Sequence, residues 1–168
     1  MRLFHVSEQG GIERFMPRSA TLNPDAGPFV WAVDEAHLAN YLLPRDCPRV
    51  TFGTSASTSE ADRLRFGVRD QTRIIVIEMA WLKRVANAQL YRYELPPDDF
   101  VMYDTSAGYW VASTPVTPVG VDAVADVGGA IADLGGEIRV VKRLWDLHDA
   151  IAASTLEFSM IRMRYASP

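Results

Sequence analysis

The sequence predicts an α+β protein: one domain with a mixed, largely antiparallel sheet and several short helices. Three observations lead there. At 168 residues the chain is long enough for one substantial hydrophobic core and short for two. Strand-like runs outnumber long helical ones and cluster in the middle of the chain, which disfavours a doubly wound parallel sheet. Neither GxGxxG nor GxxxxGK[ST] occurs, so the glycine-rich phosphate cradles of the common nucleotide-binding α/β folds are absent.

The elements follow in order. "LFHVSE" (3–8) alternates as a strand, with Leu3, His5 and Ser7 on one side and Phe4 and Val6 on the other. "EQGGIERFMPRSATLNPDAGP" concentrates Gly, Pro and Asn and predicts a long loop, with a helical turn near Ile12 to Phe15. "FVWA" (29–32) reads as a short buried strand, and Asp34 as the N-cap of a helix over "EAHLANYLL" that Pro44 stops. "RVTF" (49–52) is a strand, and Ser59 caps a short helix beyond it. "TRIIVIE" (72–78), rich in β-branched residues, gives the strongest strand signal, and "MAWLKRVA" a short amphipathic helix.

"QLYRYEL" (89–95) is a strand ended by Pro96 and Pro97. "FVMYD" and "GYWVASTPVTPV" supply two more, the second placed at a sheet edge because Pro115 and Pro118 cannot donate to a ladder. From Val121 to Leu134 the pattern is helical, interrupted by Gly128 and Gly129 and stopped by Gly135 and Gly136. "EIRVV" is a strand, and "LWDLHDAIAAS" a helix that runs on into "TLEFSMIRMR".

Composition narrows the function classes. Seventeen basic against twenty-one acidic residues give a net charge of -4, which offers no global attraction to DNA or an anionic membrane. No apolar run approaches the roughly 20 residues that cross a bilayer. One cysteine forms no internal disulfide, and Met1 to Ser7 alternates like a strand instead of showing a leader's apolar run, so cytoplasmic residence is the expectation. No HxH, HExxH or CxxC appears, so no metal is expected, and a hydrolase triad lacks its GxSxG turn.

Four constellations carry the chemistry that remains. His5 and Ser7 share a face, so imidazole and hydroxyl can hold one ligand oxygen; a histidine satisfied by backbone at a strand end explains the pair equally. Trp31 on a strand and Tyr41 on the following helix are placed to wall a flat ligand, or to fill the core. Arg45 and Arg49, on a loop stiffened by Pro44 and Pro48, make an anion clamp that also lowers the pKa of Cys47, otherwise a buried small hydrophobe. In a helical "LEFSMIRMR", Ser159 aligns with Arg162, and Glu157 with Arg164 one turn further round.

"LFHVSE", "VWAVDEAHLANYLLPRDCPRVTF", "LYRYELPP", "GYWVASTPV" and "FSMIRMR" together resemble an uncharacterised bacterial family of about this length, which brings no activity with it. A first strand with histidine and a hydroxyl two residues on, then an aromatic-bearing strand leading into a helix with a second aromatic, is similar to the NAD-binding half of the ADP-ribosyltransferase-like fold. That resemblance implies a split sheet, ribose and nicotinamide held by His5 and Ser7, and stacking by Trp31 and Tyr41. Trp31 stands where tyrosine is more usual, and Glu94 and Glu157 compete for the catalytic glutamate.

The resulting expectation is a nucleotide or NAD-type pocket performing ADP-ribosyl or phosphoribosyl-type transfer, with NAD as substrate. His5 and Glu157 are its catalytic residues, and His5, Ser7, Trp31, Tyr41, Arg45, Arg49, Ser159 and Arg162 its ligand contacts. The alternative is a non-catalytic binding protein for a small anionic ligand, and a third reading a cysteine-dependent enzyme. Composition leaves the oligomeric state open.

Overall fold

The computed structural model of the chain describes residues 1–20 and 23–168. The first elements are β1 (Leu3–Ser7), β2 (Arg18–Ala20), β3 (Asn23–Asp34), β4 (Arg49–Gly53), α1 (Glu60–Phe66) and β5 (Arg73–Glu78). After them come α2 (Leu82–Ala86), β6 (Leu90–Leu95), β7 (Val101–Asp104), β8 (Tyr109–Ala112) and β9 (Gly120–Val124). The chain closes with α3 (Val127–Asp133), β10 (Gly136–Val141), α4 (Trp145–Ala152) and β11 (Glu157–Ile161). The content is α+β and mostly antiparallel, as the sequence predicts, and the strands divide into two sheets where the element pattern predicts one. The chain packs as two units, residues 1–38 with 89–124 and residues 39–88 with 125–168.

In the first unit the sheet order is β7-β8-β3-β1-β6-β9, antiparallel throughout, and β2 pairs with the first half of β3. Register decides which side chains share a face, because residues directly opposite on an antiparallel ladder project to the same side. Leu3 pairs with Leu95, His5 with Tyr93 and Ser7 with Tyr91. Val30 pairs with Ala112 and Ala32 with Trp110. This face gathers Leu3, Val30, Ala32, Tyr93, Leu95 and Ala112 with Phe15, Phe100 and Val116 into the unit's core. The opposite face carries Phe4, Trp31, Val33, Tyr109 and Val111.

Buried Tyr93 also orders the long segment after β1, since its hydroxyl accepts from Ile12 N at 3.0 Å and donates to the Gln9 carbonyl at 2.9 Å. The helical turn expected at Ile12 to Phe15 does not form. Phe15 is buried in the core and bridges Val116 through two backbone hydrogen bonds of 2.8 and 2.9 Å, which hold the backbone extended there. "FVWA" lies in the second half of a longer strand, β3. β8 is an interior strand, not an edge: it ends at Ala112, before either proline, and bonds β7 on one side and β3 on the other.

The second unit has the order β10-β5-β4-β11, parallel between β10 and β5 and antiparallel elsewhere. β5 is central and buried on both faces, so it reads as an unbroken apolar run instead of alternating. One face joins Val50, Phe52, Ile74, Val76, Leu144, Ile151 and Leu156 in a core. α1 begins as expected at Ser59, whose Oγ accepts from Asp62 N at 3.2 Å, and ends on left-handed Gly67. The Asp62 carboxylate accepts from Thr155 N (2.8 Å) and Oγ1 (2.6 Å), which holds its pKa below the usual aspartate range and fastens the start of α1 to the turn before β11.

Three helical expectations are corrected. Asp34 Oδ1 does accept from His37 N at 3.0 Å, but only a single 3₁₀ turn, Leu38–Tyr41, winds beyond it. Leu38, Ala39, Asn40, Leu42 and Leu43 are all buried there, leaving no polar stripe for a longer surface helix. Residues 120–124 form β9 on β6, and the helix starts only after Asp126, whose side chain caps Gly129 N at 2.9 Å. "EFSMI" is a strand on β4, with Phe158 and Met160 packed on the core. Arg162, at φ 57°, then turns the chain out of it.

Candidate functional site

His5, Ser7 and Trp31 belong to the first unit; Tyr41, Arg45, Arg49, Glu157, Ser159 and Arg162 belong to the second. Within the first, β1 and β3 pair at Leu3 and Phe4 and then part. His5 Nδ1 takes up the ladder bond at this point by donating to the Trp31 carbonyl at 2.8 Å. A carbonyl only accepts, so Nδ1 carries a proton and Nε2 is the acceptor atom of the neutral ring. The imidazole leans on Phe15 at 4.7 Å between centroids. Ser7 Oγ accepts from Gln9 N at 3.0 Å, closing the turn after β1. Strand alternation puts the His5 and Trp31 rings on opposite faces of the sheet.

Trp31 sits instead in a cluster of aromatic rings. Tyr103, Tyr109 and Phe29 surround it edge-to-face at 4.9, 5.5 and 6.2 Å. Tyr103 is 43% exposed, so the cluster reaches the surface. The indole Nε1 is buried and has no hydrogen-bond acceptor among the described residues. Leaving such a donor unmatched costs roughly 1–3 kcal/mol. Trp110 Nε1 and Arg92 Nε share that state, but Trp110 packs on the core cluster, and Arg92 bonds Asp122 and lies over buried Phe4. Tyr103 and Tyr109 were not readable from the sequence as neighbours of Trp31. The only local signal was the i, i+2 spacing of Phe29 and Trp31, which puts both on one strand face.

In the second unit Arg49 is buried, and its guanidinium is engaged by its own loop: Nε donates to the Asn40 carbonyl at 3.1 Å and Nη1 to that of Cys47 at 2.8 Å. It also lies 6.0 Å from the Tyr41 ring centroid. Arg45 is exposed. Both amide atoms of buried Asn40 lack a partner among the described residues. Glu157 and Ser159 alternate onto one side of β11, and Glu157 forms an ion pair of 2.6 Å with Arg73. The helical alignment of Ser159 with Arg162 does not arise, because that segment is extended. Glu94, the other candidate carboxylate, is gripped by the Arg2 guanidinium at 2.9 and 3.1 Å, which holds its pKa below the usual range.

Of the two readings of Cys47, the buried small hydrophobe is the one that holds, and the thiolate favoured by Arg45 and Arg49 does not. The side chain is wholly buried, and that burial pushes its pKa up to about 11 despite Arg49 and Arg84. Iodoacetamide at pH 7.5 is therefore expected to leave Cys47 unmodified in the native protein and to label it fully in denaturant; labelling at comparable rates in both states would contradict the burial. The unfolded thiol ionises near 9, so with the raised folded value the stability that the buried neutral thiol contributes is complete below pH 9 and is lost as pH rises toward about 11.

An open depression of about 540 Å³ beside α1 is lined by Glu60, Arg63, Leu64, Arg69 and Asp70, with Arg63 paired to Asp70, and contains none of the residues singled out above. Among the described residues no three His, Cys, Asp or Glu side chains gather as a metal site, and no helix is long and apolar enough to cross a membrane.

No curated protein and no solved structure matches the chain. Residues 4–166 match the pattern of a family of unknown function, DUF6886, which bears out the resemblance to an uncharacterised family and brings no activity with it. The match spans nearly the whole sequence, and the chain belongs to that family.

Proposed function

We propose that the chain binds a small, flat, anionic ligand of nucleotide type, NAD among them, against Trp31. The observation that supports this is the buried Trp31 N–H, a donor without an acceptor among the described residues, set among Phe29, Tyr103 and Tyr109. An aromatic ligand with a ring carbonyl or ring nitrogen at its edge supplies the missing acceptor and exchanges its hydration for ring contact. Binding without transfer is the form favoured by the carboxylates, since Glu94 and Glu157 are each held in an ion pair. ADP-ribosyl or phosphoribosyl-type transfer is the second reading, resting on His5, whose tautomer is set by the Trp31 carbonyl. A lone buried cysteine and this class of ligand fit a cytoplasmic protein.

The test is a thermal-shift titration with NAD, ADP-ribose, nicotinamide and inorganic phosphate, on the native protein and on Trp31→Phe. The variant keeps an aromatic surface and removes the N–H. A concentration-dependent rise in Tm with NAD or ADP-ribose, weakened about tenfold or more in the variant, supports the site. No shift, or the same shift in both proteins, refutes it. Release of nicotinamide from bound NAD would establish transfer over binding alone.

A further inference from the structure

Resting on that reading, we infer that Arg18 is the residue of this site that recognises the ligand's phosphate. Arg18 opens β2 and stands directly opposite Phe29 on the antiparallel ladder with β3. Directly opposed residues share a face, with Cβ atoms roughly 5 Å apart. Phe29 and Trp31, two positions apart on β3, share that same face and touch ring to ring. Arg18, Phe29 and Trp31 thus form a row, running from a cation to the donor that lacks an acceptor.

The state of Arg18 fits the role. It is exposed and makes no ion pair or side-chain hydrogen bond among the described residues. Arg2 and Arg92 of the same unit are engaged, by Glu35 and Glu94 and by Asp122, and exposed Arg14 lies outside the β2–β3 ladder, so Arg18 is the arginine set opposite Phe29. A planar guanidinium offers phosphate two parallel N–H bonds, and neighbouring rings that exclude water strengthen them. The spacing calls for a ligand whose base lies on the rings while a phosphate, one sugar away, reaches Arg18. That describes a phosphorylated nucleoside, and excludes a free base or a bare anion as the full ligand.

The deciding experiment compares adenosine, AMP, ADP-ribose and inorganic phosphate on the native protein, Arg18→Ala and Trp31→Phe, by thermal shift and by quenching of tryptophan fluorescence. Arg18 is exposed, so its removal leaves folding intact, which the ligand-free Tm verifies. The expected result is a loss of about ten- to a hundredfold in affinity for AMP and ADP-ribose in Arg18→Ala, with adenosine unchanged, whereas Trp31→Phe weakens all three. If AMP and adenosine keep their affinities in Arg18→Ala while Trp31→Phe abolishes binding, the role of Arg18 is overturned and the aromatic site stands. If none of the probes binds the native protein, both fall.

Discussion

Replacing Gly108 by alanine is expected to destabilise the protein by about 2–4 kcal/mol, read from the midpoint of urea unfolding. Gly108 sits at φ 68°, where a side chain is disfavoured by about 1 kcal/mol or more. A Cβ placed on it would also lie 2.5 Å from His37 Cγ and 2.7 Å from His37 Cβ, and would press on Nδ1 as well. His37 has little room to withdraw, because Nδ1 bonds Asp34 Oδ1 at 2.7 Å and its amide bonds the same oxygen. Asp34 N in turn donates to the Gly108 carbonyl at 3.0 Å, so the two turns are joined on both sides.

The double variant Gly108→Ala/His37→Ala separates the causes. Removing the imidazole relieves the collision and leaves the backbone penalty, so the second substitution is expected to cost less in the Gly108→Ala background than alone. Additive losses would show that the turns do not press on one another. Because this turn joins β7 to β8, it also sets Tyr103 and Tyr109 around Trp31. Gly108→Ala is therefore expected to weaken ligand binding along with stability, while leaving the exposure of Cys47 unchanged.

Strands were legible wherever one physical signal dominated. The β-branched run of β5 and the alternation of "LYRYEL" admit no helix, and Ser59 with Asp62 spells a cap that the structure builds. Local pattern failed where long-range partners decide. "LEFSMIRMR" is apolar at nearly every second or third position, so both periods fit; pairing with β4 and the Asp62–Thr155 bonds select the strand. Pro115 suggested an edge, yet β8 ends three residues earlier and lies between two neighbours.

The site was legible to a lesser degree, for the same reason. Trp31 stands out as an aromatic on a strand, but its neighbours Tyr103 and Tyr109 come from a distant hairpin that only the β3–β8 register brings alongside. Arg18 was hidden in a stretch punctuated by Pro17, Pro24 and Pro28, which reads as loop; pairing with β3 makes it a strand position opposite Phe29. Arg49 misled in the other direction. Its neighbours are backbone carbonyls of its own loop, and sequence shows side chains far better than it shows where carbonyls point.

The second large effect is expected at Glu78, where Glu78→Gln should lower stability by about 1–3 kcal/mol although it changes a single atom and the charge. Glu78 is fully buried at the end of β5. Its Oε1 accepts from Leu144 N at 3.0 Å, and its Oε2 from Ser167 N at 3.0 Å and Ser167 Oγ at 2.9 Å. All three donate to the carboxylate, and of them only the Ser167 hydroxyl is also able to accept. A glutamine keeps one oxygen: placed at the Oε1 position it still accepts from Leu144 N and from Ser167 N (3.1 Å), while the Ser167 hydroxyl turns to accept from the NH₂. The reversed amide leaves the Leu144 N–H unmatched, so the loss comes from exchanging charge-assisted bonds for neutral ones in a single tolerated orientation. Leu144 is the residue before α4, and Ile151 of α4 packs in the same core, so the loss spreads from one carboxylate to a helix and the chain's last turn. Ser167→Ala removes only the hydroxyl and should cost about 1 kcal/mol. Amide exchange supplies the local readout: Leu144 and Ser167 should lose protection together in Glu78→Gln, ahead of β5 itself. Equal stability of Glu78→Gln and the native protein would mean that the carboxylate is replaceable by any polar group of its shape, and that α4 and the C-terminal residues are held by packing alone.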